Sequence, residues 1–189
     1  MRKDGRERRE AVLDAALRCF VERGVLATGI EDIRKAAGAS PSSIYHLFGG
    51  LPGIVVALLG RTFERAVTHL VARVAAAATA EEAVRTLVDA HFEWVQQNPD
   101  DARFMYQAMA AELAGEVPAE VLAAKDELKG PLLAALARFD DLSAWPPLTL
   151  EFVLLGPAHE ACRRYFTGAD VDLTELRSTL PTVAWRALN

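Results

Sequence analysis

Cysteine is scarce in this 189-residue chain. Its two residues, Cys19 and Cys162, both lie in apolar helical stretches. Free buried thiols in a reducing compartment are expected, and a disulfide framework is excluded. No uninterrupted apolar run approaches the ~20 residues that a membrane-spanning helix needs, so no membrane partner is expected. The charged start MRKDGRERRE has no apolar segment behind it, so no signal peptide is read. The expected location is therefore cytoplasmic. Alternation of β-branched and polar residues is missing as well, which removes a sheet from consideration. GGLPG at 49–53 lacks the Lys-Ser/Thr of a phosphate loop, and neither GxGxxG nor GxSxG occurs. No cofactor is expected. His159, Glu160 and Cys162 stand at i, i+1 and i+3, which do not share one helix face, and no second Cys or His cluster completes a tetrahedral site. No metal and no catalytic residue are expected either.

What is present reads as helix. Apolar residues make up 51% of the chain, and Ala, Leu, Glu and Arg dominate. The first helix is expected over 7–23, with Leu13, Ala16, Leu17 and Phe20 at helical spacing and Gly24 as its stop. In TGIE, Thr28 reads as the N-cap and Glu31 as the capping-box partner of a helix over about 29–37. Ser40 caps a third, with Pro41 at its first position, where a missing N–H costs nothing. A long helix over about 52–77 follows, then others at about 80–97, 100–114, 118–139, 147–166 and 172–188. The breaks fall at Asn98-Pro99, Gly115 to Pro118, Pro146-Pro147 and Gly168.

The net charge of −5 hides an asymmetry. Residues 1–50 carry nine Lys/Arg against seven Asp/Glu, and the rest carry twelve against nineteen. A basic head on an acidic body suits a localised polyanion contact; charged N-terminal tails are also common without one.

Two short helices joined by a Gly-containing turn describe a helix-turn-helix, whose second helix enters the DNA major groove with its N-terminal residues toward the bases. Those residues here are Pro41, Ser42 and Ser43. They are small enough for close backbone approach, and their hydroxyls donate or accept, less selectively than Arg or Asn. Tyr45 and His46 lie one turn on, within reach of phosphates. A Ser-Pro start is equally explained as a good helix cap.

The wider pattern resembles the DNA-binding head of TetR-family transcriptional repressors. The likeness covers residues 7–60. It is carried by Val12 to Ala16, Phe20, Gly24, Thr28, Ile33, AAG at 36–38, Ser40 and IYHLF at 44–48. It implies an all-α homodimer with a three-helix head, a ligand-responsive body and binding to a palindromic double-stranded DNA operator. The head is expected over 1–50 and the effector-binding and dimerisation body over 51–189. By the likeness, positions 41–43 face bases while Thr28, Tyr45 and His46 face the backbone. Arg6, Arg8 and Arg9 of a basic N-terminal arm, with Ser40, complete the expected DNA-binding set. Three departures stand out: Leu47 where the family often has His, Leu51 where it often has Lys, and Gly29 in place of a Thr.

In the body, the helix at 147–166 is apolar on two stripes. Leu148, Phe152, Leu155, His159, Cys162 and Phe166 form one; Leu150, Val153, Leu154, Ala158, Ala161 and Tyr165 form the other. A helix with two apolar faces needs two partners. The expected dimer interface therefore takes Leu150, Leu154, Ala158, Ala161 and Tyr165, with Leu176, Leu180 and Val183 from the last helix. A small-molecule effector of unknown identity, apolar in character, is expected among His91, Trp94, Phe104, Met105, Met109, Phe152 and His159, each of which is equally a core residue. A helical protein-interaction adaptor and a small helical-bundle enzyme using His91 and His159 as bases remain as alternatives. Neither accounts for the head.

Overall fold

Helix is the only regular structure among the described residues of the computed structural model, which are 2–113 and 119–188, with side chains over 5–109 and 128–188. The chain forms α1 (Arg2–Arg23), α2 (Ile30–Ala37), α3 (Pro41–Phe48), α4 (Leu51–Ala75) and α5 (Ala80–Gln97). It continues with α6 (Pro99–Leu113), α7 (Ala119–Ala137), the short α8 (Asp140–Ser143), α9 (Pro147–Phe166) and α10 (Leu173–Arg186). Most boundaries agree with the sequence pattern within two residues, α8 is not expected from it, the expected break at Gly115 to Pro118 lies outside the described residues, and two boundaries in the head differ with consequence. α1 starts at Arg2, so the stretch expected as an arm is helical, in keeping with the good helix formers Arg6 to Glu10 and despite Gly5. α2 starts at Ile30, with Gly29 rather than Thr28 as its N-cap.

Packing divides the chain into two compact units, Met1–Phe63 with Asp100–Ala124 and Glu64–Pro99 with Lys125–Asn189. In the first, Val12, Leu13, Ala16 and Phe20 of α1 meet Ile33 of α2, Ile44 of α3, and Ile54, Leu58 and Leu59 of α4. Phe104 and Ala108 of α6 close this core, and the Phe104 ring stacks on Phe20 at 5.4 Å between centroids. Each fully buried Phe, Leu or Ile removes apolar surface worth about 1.5–3 kcal/mol from water. Phe104 is thus a core residue of the head, which corrects its assignment to an effector pocket in the body. Beside it, the buried Thr62 hydroxyl donates to the buried Asp101 carboxylate at 3.2 Å.

In the second unit α5 packs on α9 and α10, and α9 on α10. The stripe read from sequence on α5, Val84, Leu87, Val88, His91, Trp94 and Val95, is buried. Leu150, Leu154, Leu155, Ala158, Ala161 and Cys162 form the buried face of α9. This overturns the expected assignment of its stripes. Leu150, Leu154, Ala158 and Ala161 are core rather than dimer surface, and Leu154 is only 1% exposed. Phe152, expected inside a pocket, is 66% exposed. Tyr165 and Val183 are exposed as expected of interface residues, and Leu176 and Leu180 are half-buried.

Polar pairs fasten this bundle at its surface. Arg177 of α10 donates from Nε and Nη2 to the two carboxylate oxygens of Asp89 on α5, at 2.6 and 3.0 Å. Arg138 donates to the carbonyls of Val74, Ala75 and Ala77 at 2.9, 3.1 and 2.7 Å, satisfying the open C-terminal end of α4.

His91 is buried with its Nε2 at 3.9 Å from the Cys162 Sγ and its ring centroid 4.7 Å from that of His159. Burial first, and the neighbouring His159 second, push its pKa well below the ordinary imidazole value of 6.5. The folded protein therefore binds fewer protons at this site than the unfolded chain. Stability is fully present above about pH 6.5 and is lost as pH falls from there toward the depressed value, by at most about 1.4 kcal/mol per pH unit. Chemical denaturation at pH 7.5, 6.5 and 5.5 should show this decline, and His91→Leu should flatten it.

Candidate nucleic-acid interface

α3 is built for presentation. Its N-cap Ser40 accepts the Ser43 amide on its Oγ at 3.2 Å, and Pro41 occupies the first turn. Ile44 points into the core. That orientation turns Ser40, Pro41, Ser42, Tyr45 and His46 outward, with Tyr45 60% exposed and Ser43 half-buried. Ser40 Oγ also lies 3.1 Å from Ser42 Oγ and 2.9 Å from Ser43 Oγ. Ahead of α3, Gly38 takes φ +62 in the left-handed region to end α2, and its amide bonds back to the Lys35 carbonyl at 3.2 Å. Arg34 steadies the turn by donating to the Ala39 carbonyl at 3.2 Å and pairing with Glu31 at 2.8 Å.

Neighbouring helices hold α2 and α3 at fixed places. Asp32 accepts the Gly29 amide at 3.0 Å and pairs with Arg23 of α1 at 2.7 Å. The Gly29 amide, and the Arg23 guanidinium after it, hold the Asp32 carboxyl below the usual carboxylate range. The capping partner is thus Asp32, not the Glu31 read from sequence. Arg61 of α4 donates from Nη1 to Glu10 at 3.0 Å and to Asp14 at 2.8 Å, tying α4 to α1. Gly53 sits so close to the end of α3 that a Cβ on it would lie 1.7 Å from the Phe48 carbonyl oxygen. Sequence reading missed Arg61 and Gly53. Arg61 is 51 residues from Glu10, and no local pattern signals a contact at that separation.

Most of the expected DNA-binding set is available at the surface, with two corrections. Thr28 is 3% exposed, and its hydroxyl donates to the Gly24 carbonyl at 2.8 Å and lies 3.2 Å from that of Cys19. It staples the α1–α2 loop and is not free to face a phosphate. Arg9 is no extended-arm residue. Its guanidinium lies over the Phe48 ring at 5.3 Å, bracing the last turn of α3. Arg6 and Arg8 are exposed on the same helix.

The expected effector residues are divided between the two units. His91 and His159 are neighbours, and the buried Trp94 borders an open concavity of about 490 Å³ shared with Glu64, Arg65, Thr68, His69, Ala72 and Asn98. Met105 is buried and Met109 half-buried on α6 of the first unit. Phe104 and Phe152 are placed elsewhere, as described above.

Two short helices across a glycine turn, the second with its N-terminal face open and its inner face in a common core, make a helix-turn-helix, a unit of nucleic-acid-reading proteins. Residues 12–58 match the family of bacterial regulatory proteins of the tetR family, and these residues are a TetR-family helix-turn-helix domain. The HTH-type transcriptional regulator BetI of Rhizobium meliloti is 34% identical over 49% of this chain and 46% of its own length. The HTH-type transcriptional activator FasR of Mycolicibacterium smegmatis is 27% identical over 53% of this chain and 46% of its own. The chain spans about half the length of the curated relatives it matches. Solved structures extend the likeness of fold to the whole chain. A TetR family regulator from Marinobacter aquaeolei superposes with a TM-score of 0.78 at 21% identity, covering 99% of this chain and 98% of that one. The regulator FadR of Bacillus subtilis, in complex with stearoyl-CoA, gives 0.72 at 16% identity, covering 93% and 96%.

Gly53→Ala should force α4 away from the end of α3. A stability loss of about 1–3 kcal/mol is expected, as for other overpacked sites. Thermal unfolding checks it, with Gly60→Ala, where a Cβ meets nothing within 4 Å, as the control that should be neutral or stabilising.

Proposed function

We propose that the chain is a transcriptional regulator that binds double-stranded DNA through α3 as a homodimer and responds to a small apolar effector. The carrying observation is the open N-terminal face of α3 on a core of TetR-family sequence. Pro41, Ser42 and Ser43 read bases, Tyr45 and His46 contact the backbone, and Arg6 and Arg8 add exposed positive charge in the same unit. A head of residues 1–50 and a body of 51–189 are the functional partition. The family likeness supports repression, although FasR is named an activator. Stearoyl-CoA in the FadR structure carries an apolar acyl chain, which supports an effector of that character. α4 runs in both compact units, so an effector that changes its packing in the body acts on the head through continuous backbone. A tenfold to hundredfold loss of operator affinity needs only ~1.4–2.8 kcal/mol of coupling.

The homodimer is carried by what α9 and α10 leave open. Leu148, Phe152 and Tyr165 on α9 and Val183 on α10 are large apolar side chains left exposed, and covering them with a second copy removes that surface from water. The interface thus leaves the buried Leu150, Leu154, Ala158 and Ala161 and takes in the exposed Leu148 and Phe152 of α9, while Tyr165, Leu176, Leu180 and Val183 stay in it.

Selection from random duplexes should return a palindromic site. Tyr45→Phe should weaken binding to every sequence alike, by about 0.5–1.5 kcal/mol for one lost hydrogen bond. Absence of any enriched duplex would sink the DNA-binding reading.

Phe152→Glu should split the dimer, at a cost of about 2 kcal/mol or more, while helical content is kept. Leu154→Glu should instead unfold the subunit. Sedimentation and circular dichroism separate the two outcomes, and a wild type that sediments as a monomer at micromolar concentration would overturn the interface.

A further inference from the structure

We propose that Ser40, beyond capping α3, sets its base preference by fixing the donor and acceptor roles of Ser42 and Ser43. The inference rests on the DNA-binding reading above and names a positioning residue within it.

The argument is a count of protons and lone pairs. A serine hydroxyl has one proton to donate and two lone pairs to accept with. One lone pair of Ser40 Oγ is taken by the Ser43 amide at 3.2 Å. One proton and one lone pair remain, facing two hydroxyls at 3.1 Å (Ser42) and 2.9 Å (Ser43). Both contacts are satisfied only if one neighbour donates to Ser40 and the other accepts from it. The neighbour that donates inward has spent its proton and presents only lone pairs outward. The neighbour that accepts inward keeps its proton for an outside partner. While the cap is intact, Ser42 and Ser43 therefore cannot both donate to a base. Two arrangements of this relay exist, with the free proton on Ser42 or on Ser43, and they interconvert by hydroxyl rotation alone.

Base edges respond differently to such a pair. Guanine shows two adjacent acceptors in the major groove, N7 and O6, and needs two donors. Adenine shows the N7 acceptor beside the N6 donor, which one donor and one acceptor satisfy. Ser42 and Ser43 thus match adenine and leave guanine with one acceptor unpaired. The interchangeable arrangements let adenine be read in either direction along the edge. Leaving a buried acceptor unpaired at the interface costs more than a simple missing contact, so the discrimination is about fivefold to tenfold.

The test is selection from random duplexes with the full-length protein and three substitutions at position 40. The wild type should disfavour guanine by about fivefold to tenfold at the base pair facing Ser42 and Ser43. Ser40→Thr keeps the hydroxyl and should keep the preference. Ser40→Ala frees both protons and should lift the penalty against guanine, on top of a uniform loss of affinity from the missing cap. Ser40→Asp keeps a good N-cap but only accepts, so both serines must donate inward. Its preference should move to edges that offer donors, adenine N6 and cytosine N4, with a uniform affinity loss from the added negative charge. A purely structural role for Ser40 predicts uniform losses and an unchanged base preference in all three variants, and that result overturns the proposal. If the wild type enriches no duplex at all, the DNA-binding reading falls and this inference falls with it. An enriched site whose preference ignores position 40 leaves DNA binding standing and removes only the inference.

Discussion

An eight-residue helix does not hold itself together in water, because nucleating a turn costs more than so few hydrogen bonds return. α3 is that short, and so is α2. Their existence depends on the apolar core beneath them, where Ile33 and Ile44 insert among Leu13, Phe20, Ile54 and Leu58. The rest of the head follows from this constraint. Each short helix spends a fully buried isoleucine on the core, with Ile30 of α2 and Phe48 of α3 packed partly beside it, and the polar positions are left for the outside. On α3 those are the small and hydroxyl-bearing residues that suit close approach to a groove. The stack of Phe104 on Phe20 extends the same core into α6, so the head is completed by residues far from it in sequence.

Polar contacts then set position rather than existence. Arg23 with Asp32 joins α1 to α2, Arg61 with Glu10 and Asp14 joins α4 to α1, and Arg9 lies against Phe48 at the end of α3. The pairs are partly exposed, where each ion pair contributes little stability. Their value is geometric: they restrict how α3 is carried, and a base-reading helix tolerates little misplacement. Ser40 works on a finer scale, orienting hydroxyl protons instead of helices. In the second unit the same division holds, with α5, α9 and α10 sharing an apolar core and Arg177 with Asp89 fastening its surface.

Much of this was legible in the sequence, and the reason is local. Helix periodicity, the Ser40-Pro41 start and Gly38 in the turn are all short-range signals, and the helices they mark lie where expected to within a few residues. TGIE was misleading for an equally local reason. Asp32 stands one position past Glu31, and its carboxylate accepts the Gly29 amide while the Thr28 hydroxyl is turned to the carbonyls of Cys19 and Gly24. The stripes of α9 failed differently. Both are apolar, and the buried face takes Leu155 and Cys162 from one and Leu150, Leu154, Ala158 and Ala161 from the other, a division that hydrophobicity alone does not mark.

The sequence by itself determined that this protein is helical, that residues 36–48 make a helix-turn-helix of TetR-family pattern, and which side chains of α3 stand on its outer face. These rest on backbone propensity, capping and 3.6-residue periodicity, which act over one or two turns. Only the tertiary structure decided that Thr28 is buried, that Phe104 belongs to the head, that Leu154 is core and Phe152 surface, and that Arg61 holds α1. Each of those depends on what lies across a helix from the residue in question, and packing partners tens of residues apart leave no mark on local sequence.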